Sequence, residues 1–114
     1  MIVTLANLHE ATAQQVFDQV KNHLLTQNER SLNGISCRYR GDEGLKCAAG
    51  CLMTDSEYRL AFEEKEWEVL ISFGWVPDNH GELISDLQNI HDNDPILYWK
   101  EALQELASKH NLKY

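Results

Sequence analysis

Between Cys37 and Cys51 the chain gathers all three of its cysteines and three of its six glycines. Ile35, Cys37 and Tyr39 alternate there with Ser36, Arg38 and Arg40, which is the period of a strand. Gly41-Asp42-Glu43-Gly44 follows as a turn, and Leu45 and Cys47 begin a return strand. Almost everything outside this stretch reads as amphipathic helix and connecting turn. A two-stranded ribbon is marginal alone in water, so this one has to be built against helices.

The helices carry their own signals. Thr12 with Gln15 is a capping-box pattern, and Val16, Phe17, Val20, Leu24 and Leu25 recur behind it at helical spacing, predicting a helix over about residues 12–28. Ile2, Val3 and Leu5 before it suggest a short extended arm. Thr54 or Asp55 is placed to cap a helical turn containing Tyr58. Trp67, Leu70 and Ile71 share one face of a further helix, with Gly74 as its cap and Pro77 as a stop. Asn79 with Glu82 offers another capping box, ahead of Leu83, Ile84, Leu87 and Ile90. Asp94-Pro95 opens a last helix that buries Trp99, Leu103, Leu106 and Ala107, with Lys109 and His110 at its negative end. The expected class is α+β, mostly helical, with four or five helices around one small hairpin in a single domain spanning residues 1–114.

Bulk composition narrows the function. At 114 residues, 43% hydrophobic and 25% charged, the chain has an ordinary globular make-up and room for one packed core. Eighteen acids against ten bases give a net charge of −8, which repels phosphate backbones and argues against direct nucleic-acid binding. No apolar run approaches the ~20 residues that span a bilayer. Residues 1–7 lack a basic leader before an apolar run, and three cysteines is an odd number, so a cytoplasmic location with free or metal-bound thiols is expected.

The cysteines have three readings. As zinc ligands, Cys37, Cys47 and Cys51 would need a fourth partner, such as His80 or His91, although their spacing lacks the paired C-x2-C knuckles of zinc ribbons. As reactive thiols, Cys47 is the natural centre, beside the cation Lys46. As core filler they would act as small hydrophobes among Ala48, Ala49, Leu52 and Met53. His91-Asp92-Asn93-Asp94 is only superficially a calcium loop, since the downstream glycine and glutamate are missing.

Three surface features suit binding. Arg38 and Arg40 fall on one strand face, fit for an anion or carboxylate, or simply a charged edge strand. Glu63, Glu64 and Glu66, with Glu68, form an acidic run that reads as a solvated helix face or as a surface for a basic partner. Trp75, past the Gly74 cap, is either a partly exposed contact residue or packed back on its helix. No phosphate loop, serine triad or zinc-protease motif is present.

Several segments together resemble a known group of proteins. They are Val16-Phe-Asp-Gln-Val20, Cys37-Arg-Tyr-Arg-Gly41, Gly44-Leu-Lys-Cys-Ala-Ala-Gly-Cys-Leu52, Asp55-Ser-Glu-Tyr58, Leu87-Gln-Asn-Ile-His-Asp92 and Trp99. The chain resembles a family of small, largely uncharacterised proteins of bacterial chromosomes and tailed phages. The resemblance implies a compact single domain and a cytoplasmic accessory role of mobile-element origin; it implies no reaction, cofactor or catalytic residue. The leading expectation is therefore a non-enzymatic binding protein with a protein partner and no cofactor. The alternatives are a zinc domain and a small thiol or redox enzyme centred on Cys47.

Overall fold

The computed structural model describes residues 1–114 and is α+β and mostly helical, with four α-helices and one two-stranded antiparallel hairpin. Helix α1 (Ala13–Gln27) starts at the expected capping box. Gln15 N donates to Thr12 Oγ1 at 3.1 Å and Thr12 N to Gln15 Oε1 at 2.9 Å. Val16, Phe17, Val20 and Leu24 are fully buried, each contributing roughly 1.5–3 kcal/mol of apolar burial. The segment before α1 is not an extended arm. It turns through a 3-10 helix at Leu8–Glu10 and is tied down by side chains, because its amides need partners. Val3 N donates to Gln19 Oε1 at 2.7 Å, and the Glu57 carboxylate accepts from Leu5 N and Ala6 N. Burial pushes the Glu57 carboxyl up, but hydrogen bonds from Thr54, Ala6 and Leu5 outweigh it and hold the pKa below the usual range. Thr54 and Glu57 cap each other around Tyr58 in a turn that does not continue as a helix.

The hairpin lies earlier than the alternation suggests. Strands β1 (Leu32–Asn33) and β2 (Ser36–Cys37) pair Leu32 with Cys37 and Asn33 with Ser36, around a tight loop in which Gly34 has φ 67°. The two-residue loop is Gly34-Ile35, and glycine at the first central position suits a tight hairpin, which prevails over the longer turn at Gly41–Gly44. Ile35 consequently sits at the tip, 98% exposed, and not on an inner strand face. Of the expected return strand, one isolated bridge between Arg40 and Lys46 remains. The ladder stops because Tyr39 N and Arg40 N donate to the Glu63 carboxylate, at 2.9 and 3.1 Å, and not to a neighbouring strand.

That same carboxylate corrects the reading of the acidic run as a helix face. Glu63 is 8% exposed and follows a 3-10 turn at Leu60–Phe62; Glu64 has φ 65°, and the helix begins only at Trp67. Helix α2 (Trp67–Ser72) buries Trp67 and Leu70 and ends at Gly74, φ 72°, where Trp75 N bonds to Leu70 O and Gly74 N to Ile71 O. Helix α3 (Gly81–Asn93) lacks the Asn79–Glu82 box. His80 precedes it with φ 58°, its ring turned to Ala11 O at 2.7 Å. Pro95 leads into a 3-10 turn at Ile96–Tyr98 before helix α4 (Trp99–Lys109), which buries Trp99, Leu103, Leu106 and Ala107 as expected. Helix α3 packs against α1, α2 and α4, and the 3-10 turn at Ala49–Leu52 wedges under α1. No helix is long and apolar enough to cross a membrane.

Candidate functional site

The thiols occupy three different environments. Cys47 is fully buried and its sulfur accepts from Gly50 N at 3.3 Å; the Cys51 thiol donates to Ala48 O at 3.1 Å. Burial pushes the Cys47 thiol well up and Cys51 up to about 12. Cys37 is half-buried, and burial followed by the nearby Asp92 carboxylate raises its pKa too. All three thiols are unpaired and remain protonated at neutral pH.

They do not gather into one cluster. Cys37 alone meets a histidine: its sulfur, a His91 ring nitrogen and an Asp92 oxygen all lie within 4.8 Å of one another. The hydrogen bonds define what this group can do. Ser31 N donates to His91 Nε2 at 2.9 Å. A backbone N–H can only donate, so Nε2 is the acceptor and the ring proton sits on Nδ1, facing Asp92 Oδ1 at 2.7 Å. Asp92 Oδ1 also accepts from Gln88 Nε2 at 2.8 Å, and Trp99 stacks on the imidazole at 5.7 Å. Both imidazole nitrogens are therefore engaged within the protein, and neither has a lone pair to spare for a metal. His80, the other candidate fourth ligand, turns its Nε2 to Ala11 O.

Arg38 and Arg40 are folded inward and do not form an open cationic face. Arg40 donates to Met53 O at 2.8 Å, pairs with Asp55 at 3.3 Å and lies 5.4 Å from the centre of the Tyr58 ring. Arg38 Nε is 3.6 Å from Glu63 Oε2, which also takes the Tyr58 hydroxyl at 2.7 Å. Glu63 thus serves as an internal clamp, while Glu64 and Glu66 stay exposed. Trp75 is half-buried between Phe62 and Phe73, at 6.2 and 4.9 Å, with the Arg59 guanidinium 4.9 Å from its ring centre.

Beside this clamp lies a cleft of about 380 Å³, walled by the Glu63–Glu68 segment, by Cys37–Tyr39 and by one face of α3. Its lining is mostly polar and strongly acidic. Glu64, Glu66 and Glu68 contribute unpaired negative charge, joined by Asp86, which is paired with Lys109, and Asp92, which accepts from His91, against Arg38, already facing Glu63, and Lys65. Three lining residues carry polar atoms shielded from solvent and without a hydrogen-bond partner: Arg38 Nε, which only faces Glu63 Oε2 at 3.6 Å, Trp67 Nε1, in a residue only 1% exposed, and Ser85 Oγ. An indole N–H only donates, so the group that would satisfy Trp67 is an acceptor oxygen. Leaving such a donor unmade costs about 1–3 kcal/mol, which an incoming acceptor would recover.

Trp67 reads from sequence as plain core, and its missing partner has no sequence signal. Ser85, Asp86 and Asn89 likewise carry no motif of their own. Their trace is the polar stripe of Asp86, Asn89 and Asn93 at i, i+3 and i+7, opposite the buried face of α3. Comparison of the chain with protein-family models, curated proteins and solved structures finds no match.

Proposed function

We propose that this chain is a non-enzymatic binding or accessory protein that receives a basic group of a partner protein in the acidic cleft beside Trp67. The carrying observation is the pairing of two features in one cleft. Exposed Glu64, Glu66 and Glu68 supply negative charge at the rim, and the interior holds an unpartnered indole N–H and hydroxyl. A lysine or arginine satisfies the rim, and the main-chain carbonyl next to it supplies an acceptor for the interior. The three protonated thiols offer no nucleophile, which favours binding over thiol chemistry, and they suit a reducing cytoplasm. The test is titration of ¹⁵N-labelled protein with acetyl-Gly-Arg-Gly-amide. The Trp67 indole N–H resonance should shift on binding, and E66Q/E68Q should weaken the interaction several-fold. An unmoved indole signal, or binding indifferent to E66Q/E68Q, refutes the reading.

A zinc-binding role through Cys37 and His91 is the second reading, favoured by their proximity to Asp92. It requires the imidazole to give up its bond to Ser31 or to Asp92. Metal analysis of protein purified without chelators decides it. Structural zinc binds with ~10 kcal/mol or more, so less than ~0.1 metal per chain removes this role.

A further inference from the structure

The acidic cleft is not isolated. Asp86 and Asn89 also border a second hollow of about 410 Å³ on the other flank of α3, between α3 and α4. Its floor is apolar, made by Ile90, Ala102 and Leu106, and its rim carries Asp94 and Glu105. Neither of those acids is engaged in an ion pair; Lys109, the only base there, is held by Asp86 at 2.9 Å and Glu82 at 3.7 Å. An apolar floor beneath free carboxylates matches a lysine or arginine, whose methylenes lie on hydrocarbon while the charged head reaches outward. The two hollows therefore offer the same chemistry on both sides of one ridge.

We infer that the two hollows form one continuous track over α3, and that its occupant is an extended polypeptide segment carrying two basic side chains, one for each hollow. This rests on the reading of the first cleft given above. A helix with its side chains is ~10–12 Å across. An extended chain advances ~3.3–3.6 Å per residue. The two basic residues of the occupant are thus about four positions apart, an even separation that keeps both side chains on the face turned to the protein. The first enters beside Glu66 and Glu68, with its neighbouring carbonyl directed to Trp67 Nε1 and Ser85 Oγ. The chain crosses at Asp86 and Asn89, and the second basic residue lies over Ile90, Ala102 and Leu106 toward Asp94 and Glu105.

The experiment compares acetyl-Gly-Arg-Gly-amide with acetyl-Gly-Arg-Gly-Gly-Gly-Arg-Gly-amide by calorimetry, on the intact protein and on D94N/E105Q, with circular dichroism to verify folding. Tethering makes the second contact intramolecular, so the longer peptide should bind at least ~10-fold tighter. In D94N/E105Q that advantage should vanish while the tripeptide affinity stays the same. Equal affinities for the two peptides, or an advantage that survives in D94N/E105Q, overturn the track and leave the first cleft standing. Binding of neither peptide overturns both. Spermine is the control: it has charge but no acceptor oxygen. If it matches the longer peptide in affinity and shifts the Trp67 indole equally, the occupant is a generic polycation and the polypeptide assignment fails.

Discussion

Replacing Glu63 with alanine should cost more than the same change at Glu64, Glu66 or Glu68, which are exposed. Its two carboxylate oxygens accept Tyr39 N at 2.9 Å, Arg40 N at 3.1 Å and the Tyr58 hydroxyl at 2.7 Å. The two amides belong to a segment that has no strand partner for them, so nothing else in the fold can take their place. Each buried donor left unmade costs about 1–3 kcal/mol. The Tyr58 hydroxyl is half-buried and can turn to water, and the 3.6 Å contact to Arg38 is too weakly held to count. The two amides and lost packing together give a destabilisation of about 3–5 kcal/mol, a large share of the ~5–15 kcal/mol typical of a domain. Urea unfolding followed by tryptophan fluorescence measures it. With a slope of roughly 1–3 kcal/mol per molar urea, the midpoint should fall by more than ~1 M. Glu63→Gln keeps one acceptor but turns an amide N–H toward a second donor, so it should lie between wild type and alanine. A loss below ~1 kcal/mol for Glu63→Ala would refute the idea that this carboxylate replaces a missing strand.

Other changes test other parts of the fold. A Cβ at Gly50 would lie 2.2 Å from Tyr39 O, a main-chain atom that cannot swing aside, so Gly50→Ala should cost upward of ~3 kcal/mol; a melting temperature within ~2 °C of wild type would contradict this packing. Thiol titration should find Cys47 and Cys51 unreactive until the protein unfolds, with half-buried Cys37 reacting slowly; a fast native thiol would contradict the burial that holds these thiols protonated. Burial raises the Asp86 carboxyl, but hydrogen bonds from Lys109 and His110, each 2.9 Å, outweigh it and depress its pKa in the fold. That contribution is complete above the unfolded value near ~4 and is lost as pH falls through the lower folded value. Asp86→Asn should therefore be less stable at pH 7 and converge with wild type near pH ~2 in urea midpoints; a gap that persists there would assign the loss to something other than charge.

Helices α1, α3 and α4 were legible in the chain because each carries its own burial period, with Val16, Val20 and Leu24 on one face and Leu83, Leu87 and Ile90 on another. The Thr12–Gln15 box and the Gly74 cap were legible for the same reason, since both are made by residues a few positions apart. The point where the ladder stops, the burial of Glu63 and the His91–Cys37 contact were not. Each depends on partners 23–60 residues away: Glu63 on Tyr39 and Arg40, His91 on Ser31. The candidate site lay almost wholly in this second category. Its acidic run was visible, but the unpartnered Trp67 N–H, the cleft and the ridge of Asp86 and Asn89 between two hollows exist only once α2 and α3 are packed. Local periodicity and caps are set within a helical turn or two, so residue order alone decides them. Which amide is left for a distant carboxylate, and which indole is left without a partner, is decided by the packing of the whole chain.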